Sequence, residues 1–337
     1  MPNGEKPYDF VPFPEGSPKR ERVKGQSAYH SDCLTGWLEL KLKTLTPVHV
    51  ASGFMDFVSA GGQEVLASLQ SSIRKHGDSG VKRTYVLPGS SLKGAIRSLV
   101  EALSPSCVRV VSGMTRKTVP QRFSPCKPPD LCPACRLFGA QDYQGQLSFE
   151  DALVPSGSLA RFGTPILWTP ARGAKTLPSC YLDPQGQLLG RKVYYHYEPA
   201  TGPDSRALVK RGVRIPCRIH FHNLANGELG LLITALGLNP NHPFPIKVGA
   251  GKPVGLGSVQ VHLQALILLQ GNQSVRQVGR LGAMSAQRLT EEDLQNTLQT
   301  LCQTALEDGL LLEEQLAELA SIYDPAGLGE TAPDEPY

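Results

Sequence analysis

Lysine and arginine are absent from the last 47 residues of this 337-residue chain, Glu291–Tyr337, which hold 12 acidic residues. All 34 basic residues therefore lie in residues 1–290, against the other 18 of the 30 acidic residues, so this part carries a net charge of +16 although the whole chain carries only +4. Such a basic body suits a protein that tracks phosphates. A generally basic protein with an acidic, solubilising tail is the alternative.

Long apolar runs are also missing. No segment approaches the ~20 apolar residues of a membrane span, and the first 26 residues, MPNGEKPYDFVPFPEGSPKRERVKGQ, hold no apolar stretch of signal-peptide length. We therefore expect a cytoplasmic protein. A chain of this length can bury a sizeable core without disulfides, and in a reducing compartment clustered cysteines indicate metal binding or catalysis rather than cystine.

Four of the eight cysteines are clustered, with the spacing C-x18-C-x5-C-x2-C. They are Cys107, Cys126, Cys132 and Cys135. Thiolates bind zinc at ~2.3 Å in tetrahedral sets, and a C-x2-C pair on a turn supplies two ligands with little loss of backbone entropy. No histidine lies between His76 and His196, so a local site would contain cysteine alone. The pattern predicts a structural zinc ion that pins an insertion onto the core.

Two other roles for the C-x2-C pair have less support. A zinc nucleobase deaminase carries H-x-E followed by P-C-x-x-C. Here Leu131 precedes Cys132, and no H-x-E lies upstream of the pair. A redox pair is the second alternative, but it would leave Cys107 and Cys126 without a role.

Composition and periodicity divide the chain into three parts. Residues 1–33 are rich in proline, glycine and charge and are predicted to be a flexible lead-in. Residues 34–265 alternate strand and helix patterns. Residues 266–337 are predicted to form an acidic helical extension with a disordered tail, in which Thr290 is the N-cap of a helix that Gly309 stops.

The middle part is predicted to follow the order strand, helix, strand, strand, helix, strand. WLELKLKTL and PCRIHFHNL alternate as strands with one buried face, and SSLKGAIRSLVEAL has helical spacing behind a serine cap. GELGLLITALGL is long enough for a buried helix, and LGSVQVHL is a further strand. This order predicts an α+β fold with a ferredoxin-like (RRM-like) βαββαβ core, in which helices cover one face of an antiparallel sheet.

Two glycine-bearing motifs stand at junctions where a backbone could meet phosphate. In LPGSSLKGAIRSL a turn opens a helix whose positive end carries Lys93 and Arg97 on one face. That is an anion site or, equally, a capped helix with a solvated basic face. GAGKPVGLGSV fits neither a Walker A loop, because proline follows its lysine, nor the dinucleotide fingerprint. Alone, such a loop is more often a tight turn than a ligand cradle.

Together these stretches resemble the RAMP superfamily, the repeat-associated RNA-binding proteins of CRISPR effector complexes. TPVHVASG is similar to the family's first strand end and loop, LPGSSLKGAIRSL to its helix-opening motif, CPACRLFGA to its zinc-and-turn segment and GAGKPVGLGSV to its C-terminal glycine-rich loop. The four motifs occur in the family's order over residues 37–263, and they most resemble the backbone subunits of type III complexes. The resemblance implies a prokaryotic, antiviral ribonucleoprotein whose partners are guide RNA, target RNA and other protein subunits.

The resemblance also implies where RNA would lie. The helix-opening and glycine-rich loops would grip guide phosphates, and a thumb-like hairpin insertion, here GRKVYYHYEPATGPDSRALVKRGVR, would wedge into the guide–target duplex. An ordinary edge hairpin with a solvated basic face is the alternative for that segment. The residues expected to bind RNA are Ser90, Ser91, Lys93, Arg97, Arg191, Lys192, Lys210, Arg211, Gly251 and Lys252.

Cleavage of target RNA is a further expectation from the resemblance. In the resembled subunits a loop aspartate with a divalent ion, magnesium or similar, promotes attack by a ribose 2′-hydroxyl on the adjacent phosphate. Asp56 is the candidate, although it stands earlier than the family pattern, and Glu64 occupies the usual aspartate position. The alternatives are a subunit that binds without cutting, a repeat-RNA processing nuclease that uses His49, and a zinc-stabilised scaffold without an RNA role.

Overall fold

The computed structural model describes residues 6–60, 63–77, 80–109, 113–167, 177–269 and 286–333. The strands are β1 (Tyr8–Pro12), β2 (Glu21–Arg22), β3 (Leu34–Thr44), β4 (Ala51–Ala60), β5 (Gln63–Gln70), β6 (Ser72–Gly77), β7 (Gly80–Leu87), β8 (Asp130–Leu131), β9 (Leu147–Phe149), β10 (Ala152–Leu153), β11 (Leu159–Thr164), β12 (Gly190–Tyr194), β13 (Asp204–Val209), β14 (Arg214–Leu224), β15 (Ile246–Lys247), β16 (Ser258–Leu269) and β17 (Ala286–Leu289). The α-helices are α1 (Gly89–Leu103), α2 (Gly113–Thr118), α3 (Pro133–Phe138), α4 (Asn226–Ala235), α5 (Glu291–Glu307) and α6 (Glu313–Ile322). Within these ranges, no helix has the length and apolar character needed to cross a bilayer.

Strand β3 is the centre of a six-stranded sheet. Its alternating leucines Leu38, Leu40 and Leu42 are at most 3% exposed and form the core side, as the period of two requires. The strand order is β15-β16-β3-β14-β9, with β17 paired to β16. Every neighbouring pair in this sheet is antiparallel. The predicted strands in WLELKLKTL, PCRIHFHNL and LGSVQVHL are confirmed as β3, β14 and β16.

Helices α1 and α4 pack on the leucine side of this sheet. The apolar residues of α1, spaced three or four apart, share one hydrophobic cluster with the β3 leucines; Leu92, Ile96 and Leu99 are at most 3% exposed. Such spacing places them on one helical face. Helix α4 is apolar all round and is buried along nearly its whole length. Both predicted helices are confirmed, and they leave the opposite side of the sheet uncovered by helices in the described part of the chain.

The acidic extension predicted for residues 266–337 completes this core. Helix α5 begins after its predicted N-cap Thr290, and its buried residues Leu294, Leu298 and Leu301 join the same cluster. Helix α5 crosses α4 so closely that a Cβ on Gly230 would lie 1.9 Å from the Leu301 carbonyl oxygen. Only glycine allows that approach, so the extension packs tightly against the middle part.

Two hairpins, β4–β5 and β6–β7, are inserted between β3 and α1. The β4–β5 hairpin joins β13 and β11 in a four-stranded sheet of order β11-β13-β5-β4. The β6–β7 hairpin joins β10 in a three-stranded sheet, and β7 leads directly into α1. The sequence patterns did not predict either hairpin.

The structure differs from the sequence-based expectation in residues 190–214, which do not form a thumb-like hairpin. Strand β12 pairs with β1, whereas β13 pairs with β11 and β5, so the two strands of this segment are not partners. Aromatic contacts hold β12 on β1: the ring of Tyr8 lies 6.4 Å from that of Tyr194 and 5.6 Å from that of Tyr181. Alternation along a strand does not specify its partner, and here distant strands supply it.

The two ends of the chain are more ordered than composition predicted. The lead-in expected to be flexible over residues 1–33 forms β1 and β2 in its described part, and Val11 is 1% exposed. In the tail, Glu198 pairs with Thr331, and Ala332 is 4% exposed. Both segments are polar, but each gains order from a few apolar side chains and from backbone hydrogen bonds to the 190–200 region.

One charged group is enclosed by the fold. Lys247 in β15 is 2% exposed, and its ammonium donates one hydrogen bond to the Leu256 carbonyl at 3.2 Å. Burial, with a smaller contribution from the charge of Lys252, lowers the pKa of Lys247 to about 7. No carboxylate of the described residues forms an ion pair with Lys247, so its charged form is poorly compensated in the folded protein.

We predict that Lys247 makes stability depend on pH. Because its pKa is about 7 when folded and near 10.5 when unfolded, the unfolded chain binds more protons between these values, and the free energy of unfolding rises with pH across this window. The contribution is about 1.4 kcal/mol per pH unit. Lys247→Met should raise stability at pH 7 and flatten the slope, measured by chemical denaturation at several pH values. Lys41→Met, at an exposed position of β3, should retain the wild-type slope; equal slopes in all three proteins would contradict the prediction.

Candidate metal centre and nucleic-acid interface

The four clustered cysteines converge in the folded protein. Their sulfur atoms all lie within 4.8 Å of one another, and all four residues are at most 2% exposed. The sulfur of Cys107 lies 3.6 Å from that of Cys135 and 3.7 Å from that of Cys132. The prediction that the four cysteines between residues 107 and 135 come together in one cluster is therefore confirmed.

Short elements on both sides bring the thiols together. Cys132 is the N-cap of α3, Pro133 fills the first helical position, and Cys135 follows in the first turn. Cys107 comes just after α1, where the hydroxyl of Ser106 accepts a hydrogen bond from the Ala134 amide at 3.1 Å. The end of α1 is thereby joined to the start of α3.

The cluster fits a tetrahedral metal ion. Four thiolates at ~2.3 Å from one ion stand about 3.8 Å apart, close to the observed sulfur separations. Hydrogen bonds among the four thiols lower the pKa of Cys126 and Cys132, the latter to about 6, and raise the pKa of Cys107 and Cys135. Four buried cysteines could hold a metal such as zinc, with no open position for a substrate.

A buried carboxylate supports the cysteine cluster. Glu101 in α1 accepts hydrogen bonds from Arg97 Nε at 2.9 Å and from Arg191 Nη1 at 2.6 Å. Arg97 also lies 3.7 Å from the Cys135 sulfur, and Arg191 donates to the Cys107 carbonyl at 2.9 Å. The side chains of all three charged residues are at most 18% exposed. The two arginines thus connect α1 and β12 to the cysteines.

These contacts give Arg97 and Arg191 an internal role that sequence reasoning did not assign. Their RNA-binding role stays a prediction that these contacts do not favour. The Arg97–Glu101 spacing of four residues was a readable signal for a helical ion pair. Arg191 lies 90 residues from Glu101, so no local pattern could have indicated that contact.

Lys192 is enclosed by aromatic rings. Its ammonium lies 3.7 Å from the ring centre of Tyr8, 4.6 Å from that of Tyr181 and 5.3 Å from that of Tyr194. Burial lowers the pKa of Lys192 to about 8. The ring faces attract the cation and help to hold β12 on β1. The expected phosphate contact of Lys192 is untested, and the structure gives this residue a structural environment.

Most of the other residues predicted to bind RNA gather at one end of the main sheet. We call it the Thr44 end, because β3 finishes there at Thr44. The Thr44 hydroxyl donates to the Lys210 carbonyl at 2.7 Å, so the turn before β14 with Lys210 and Arg211 lies at this end. Both side chains are exposed; Lys210 contacts the Gly157 carbonyl, and Arg211 pairs with Glu198 at 2.7 Å.

The glycine-rich loop lies at the same end. Val259 of β16 pairs with Thr44, so the loop that leads into β16 ends there. Gly251 has a φ of 71°, and a Cβ at this position would lie 2.7 Å from the Leu256 side chain, so the turn requires glycine. Lys252 follows it and is half-buried, and burial lowers the pKa of its ammonium.

Helix α1 begins nearer the middle of the sheet. Its first amide, at Gly89, donates to the Asp151 carboxylate at 2.8 Å, just beyond the end of β9, where Phe149 is level with Leu38 of β3 through Ile219 of β14. Ser90 and Lys93 line a groove of about 360 Å³ there, and Ser91 is half-buried. Lys93 donates to the Leu147 carbonyl at 3.1 Å, and burial lowers its pKa. The groove thus offers a hydroxyl and an ammonium, whereas the first amide of the helix is already bonded to the Asp151 carboxylate.

The two nuclease candidates have different surroundings. Asp56 in β4 is exposed, and its carboxylate accepts a hydrogen bond from the Phe57 amide at 2.8 Å. His49 is fully buried between the Ala207 carbonyl, at 2.9 Å, and the Ser68 hydroxyl, at 3.1 Å, and burial lowers its pKa. These contacts favour a structural role for His49 over a role in RNA processing.

The sequence of the chain matches a known protein family. A family model described as the RAMP superfamily matches residues 41–260, about two thirds of the chain. The match contains the cysteine cluster, α1 and the whole glycine-rich loop. No curated protein matches the chain.

We predict that the purified protein contains a tetrahedral metal ion such as zinc. Cys132→Ser should lose the ion and lower the free energy of unfolding by several kcal/mol, because structural zinc contributes about 10–16 kcal/mol to the folding of zinc-finger peptides. Elemental analysis and thermal melting with and without chelator measure both effects. Cys33→Ser, outside the cluster, should retain the metal. A metal-free protein whose melting is unchanged by chelator would contradict the prediction.

Proposed function

The chain belongs to the RAMP superfamily, and from this premise we propose that it is a guide-RNA-binding backbone subunit of a type III CRISPR effector complex in a prokaryotic cytoplasm. RAMP proteins generally bind CRISPR RNA within multi-subunit complexes. One observation carries the proposal: the glycine-rich loop and the Lys210–Arg211 turn, far apart in sequence, meet at the Thr44 end of the sheet.

We propose that the core is ferredoxin-like. The six core elements are β3, α1, β9, β14, α4 and β16, in the predicted strand and helix order. In space the four strands run β16-β3-β14-β9, so the first and third strands of the motif are central and neighbouring. This order supports a split βαβ arrangement.

The chemistry of the Thr44 end suits RNA phosphates. Cations attract anions, and charge-assisted hydrogen bonds hold a phosphate firmly. Lys210 and Arg211 would supply the charges there, Lys93 would add one in the groove at the start of α1, and the backbone at Gly251 would allow close approach. Contacts of this kind position a strand without reading its bases, as a subunit that accepts any guide sequence requires.

We propose that the metal held by the cysteines is structural zinc. Zinc favours four thiolates in a closed tetrahedral set, and the cluster leaves no ligand position open. Its role would be to fix the α3 segment on the end of α1, with Arg97 and Arg191 bound alongside. That keeps α1 in place, and α1 carries the proposed guide grip at its other end.

We expect Lys93→Ala, Lys210→Ala and Arg211→Ala together to weaken binding of single-stranded guide RNA. Loss of three cations should also reduce the slope of log affinity against log salt by roughly 2. Fluorescence anisotropy at several salt concentrations measures both quantities. Arg22→Ala, Lys24→Ala and Arg122→Ala remove the same charge from exposed positions elsewhere and should change both much less. Equal losses in the two triple variants would count against the Thr44 end and the α1 groove as the binding surface.

Target-RNA cleavage through Asp56 is the second proposed function. The supporting observation is that Asp56 is exposed and forms no ion pair with any described residue, so its carboxylate could hold a magnesium ion. Such an ion would neutralise the charge that develops when a 2′-oxygen attacks the adjacent phosphorus and the 5′-oxygen leaves.

An assembled complex with matched target RNA and magnesium tests this role. Asp56→Ala should remove one cleavage product, whereas Glu64→Ala should leave the products unchanged. Identical cleavage patterns in the two variants and the wild type would make this subunit one that binds without cutting.

A further inference from the structure

The β6–β7 hairpin carries like charges directly opposite each other. In its antiparallel register Arg74 faces Arg83, and Lys75 faces Lys82. All four residues are exposed. Neither the family match nor the sequence motifs assign this hairpin a role.

Such pairing opposes the hairpin's own stability. Side chains at directly opposite positions have Cβ atoms about 5 Å apart, and like charges there are destabilising. None of the four cations forms an ion pair or hydrogen bond with a described residue. The hairpin therefore lacks an internal counter-charge within the described part of the chain, and an external polyanion would relieve the repulsion.

The charges lie on both faces of the ribbon. Successive strand residues point to opposite sides, so the Arg74–Arg83 pair and the Lys75–Lys82 pair face in opposite directions. A single strand of RNA could contact only one of these faces at a time. Two phosphate backbones, one on each side, would satisfy both pairs, and the grooves of a nucleic-acid duplex have this arrangement.

The hairpin also projects from the proposed guide site. Strand β7 ends at Leu87, two residues before α1 begins at Gly89. Arg83 is four residues before Leu87, about 13 Å along an extended strand. A guide strand bound at the start of α1 would therefore bring its paired partner strand within reach of the hairpin.

We propose that the β6–β7 hairpin binds the phosphate backbones of an RNA duplex, the guide paired with its target. The proposal rests on the proposed guide-binding function and adds a site that recognises the paired state. The hairpin contributes little to binding of the unpaired guide, because only one of its faces can then be used.

The register permits a test in which stability and binding change in opposite directions. Lys82→Glu with Arg83→Glu converts both cross-strand repulsions into attractions, so the melting temperature should not fall. Affinity of the full chain for a mixed-sequence RNA duplex should fall on the order of tenfold, with a salt slope smaller by roughly 2. Affinity for either strand alone should change much less.

Two further variants control for charge and for folding. Arg22→Glu with Lys24→Glu makes the same change in net charge on the exposed lead-in and should retain duplex binding. Arg74→Glu with Lys75→Glu alters the other strand of the hairpin and should reproduce the loss. Unchanged duplex affinity in both hairpin variants, or equal losses for duplex and single strand, would overturn this inference alone. If the wild-type protein bound neither the RNA duplex nor the single strands, that result would overturn the proposed function itself.

Discussion

The ion pairs of the Glu101 carboxylate with Arg97 and Arg191 are the interaction on which the rest of this structure depends. The carboxylate neutralises Arg97 of its own helix and Arg191 of β12, and these guanidinium groups in turn reach the Cys135 sulfur and the Cys107 carbonyl. Removal of the carboxylate would leave two largely buried cations without a partner beside the thiol cluster, and an uncompensated charge of this kind is destabilising. One side chain thus joins α1, the β1–β12 pair and the candidate metal centre.

Helix α1 therefore has different roles at its two ends. Its start lies at a polar groove that is open to solvent and lined by Lys93. Glu101 is twelve residues further along, about 18 Å away, where the helix is held by buried charges and by the cysteines. A rigid attachment at one end allows the other end to present its amides and cations in a constant geometry.

The basic residues of the chain also fall into two groups, those that are used inside the protein and those that are exposed. Arg97 and Arg191 are used inside the protein, and Lys192 lies in an aromatic enclosure. Lys210 is exposed at the Thr44 end, and the hairpin cations are exposed next to the start of α1. Net charge counts all of these residues equally, so it predicts a preference for polyanions but not the surface that provides it.

The sequence by itself determined five of the six core elements, the cysteine set and the family, whereas no pattern identified the short strand β9. The features so determined depend on local period, on spacing and on short motifs, all of which are readable along the chain. Only the tertiary structure decided which arginines are buried, which strands are partners of β12 and β13, and which motifs share one end of the sheet. A cation next to a distant carboxylate and a cation in solvent have the same local pattern. The difference between them is the free energy of desolvation and pairing, which depends on neighbours that only the fold brings into contact.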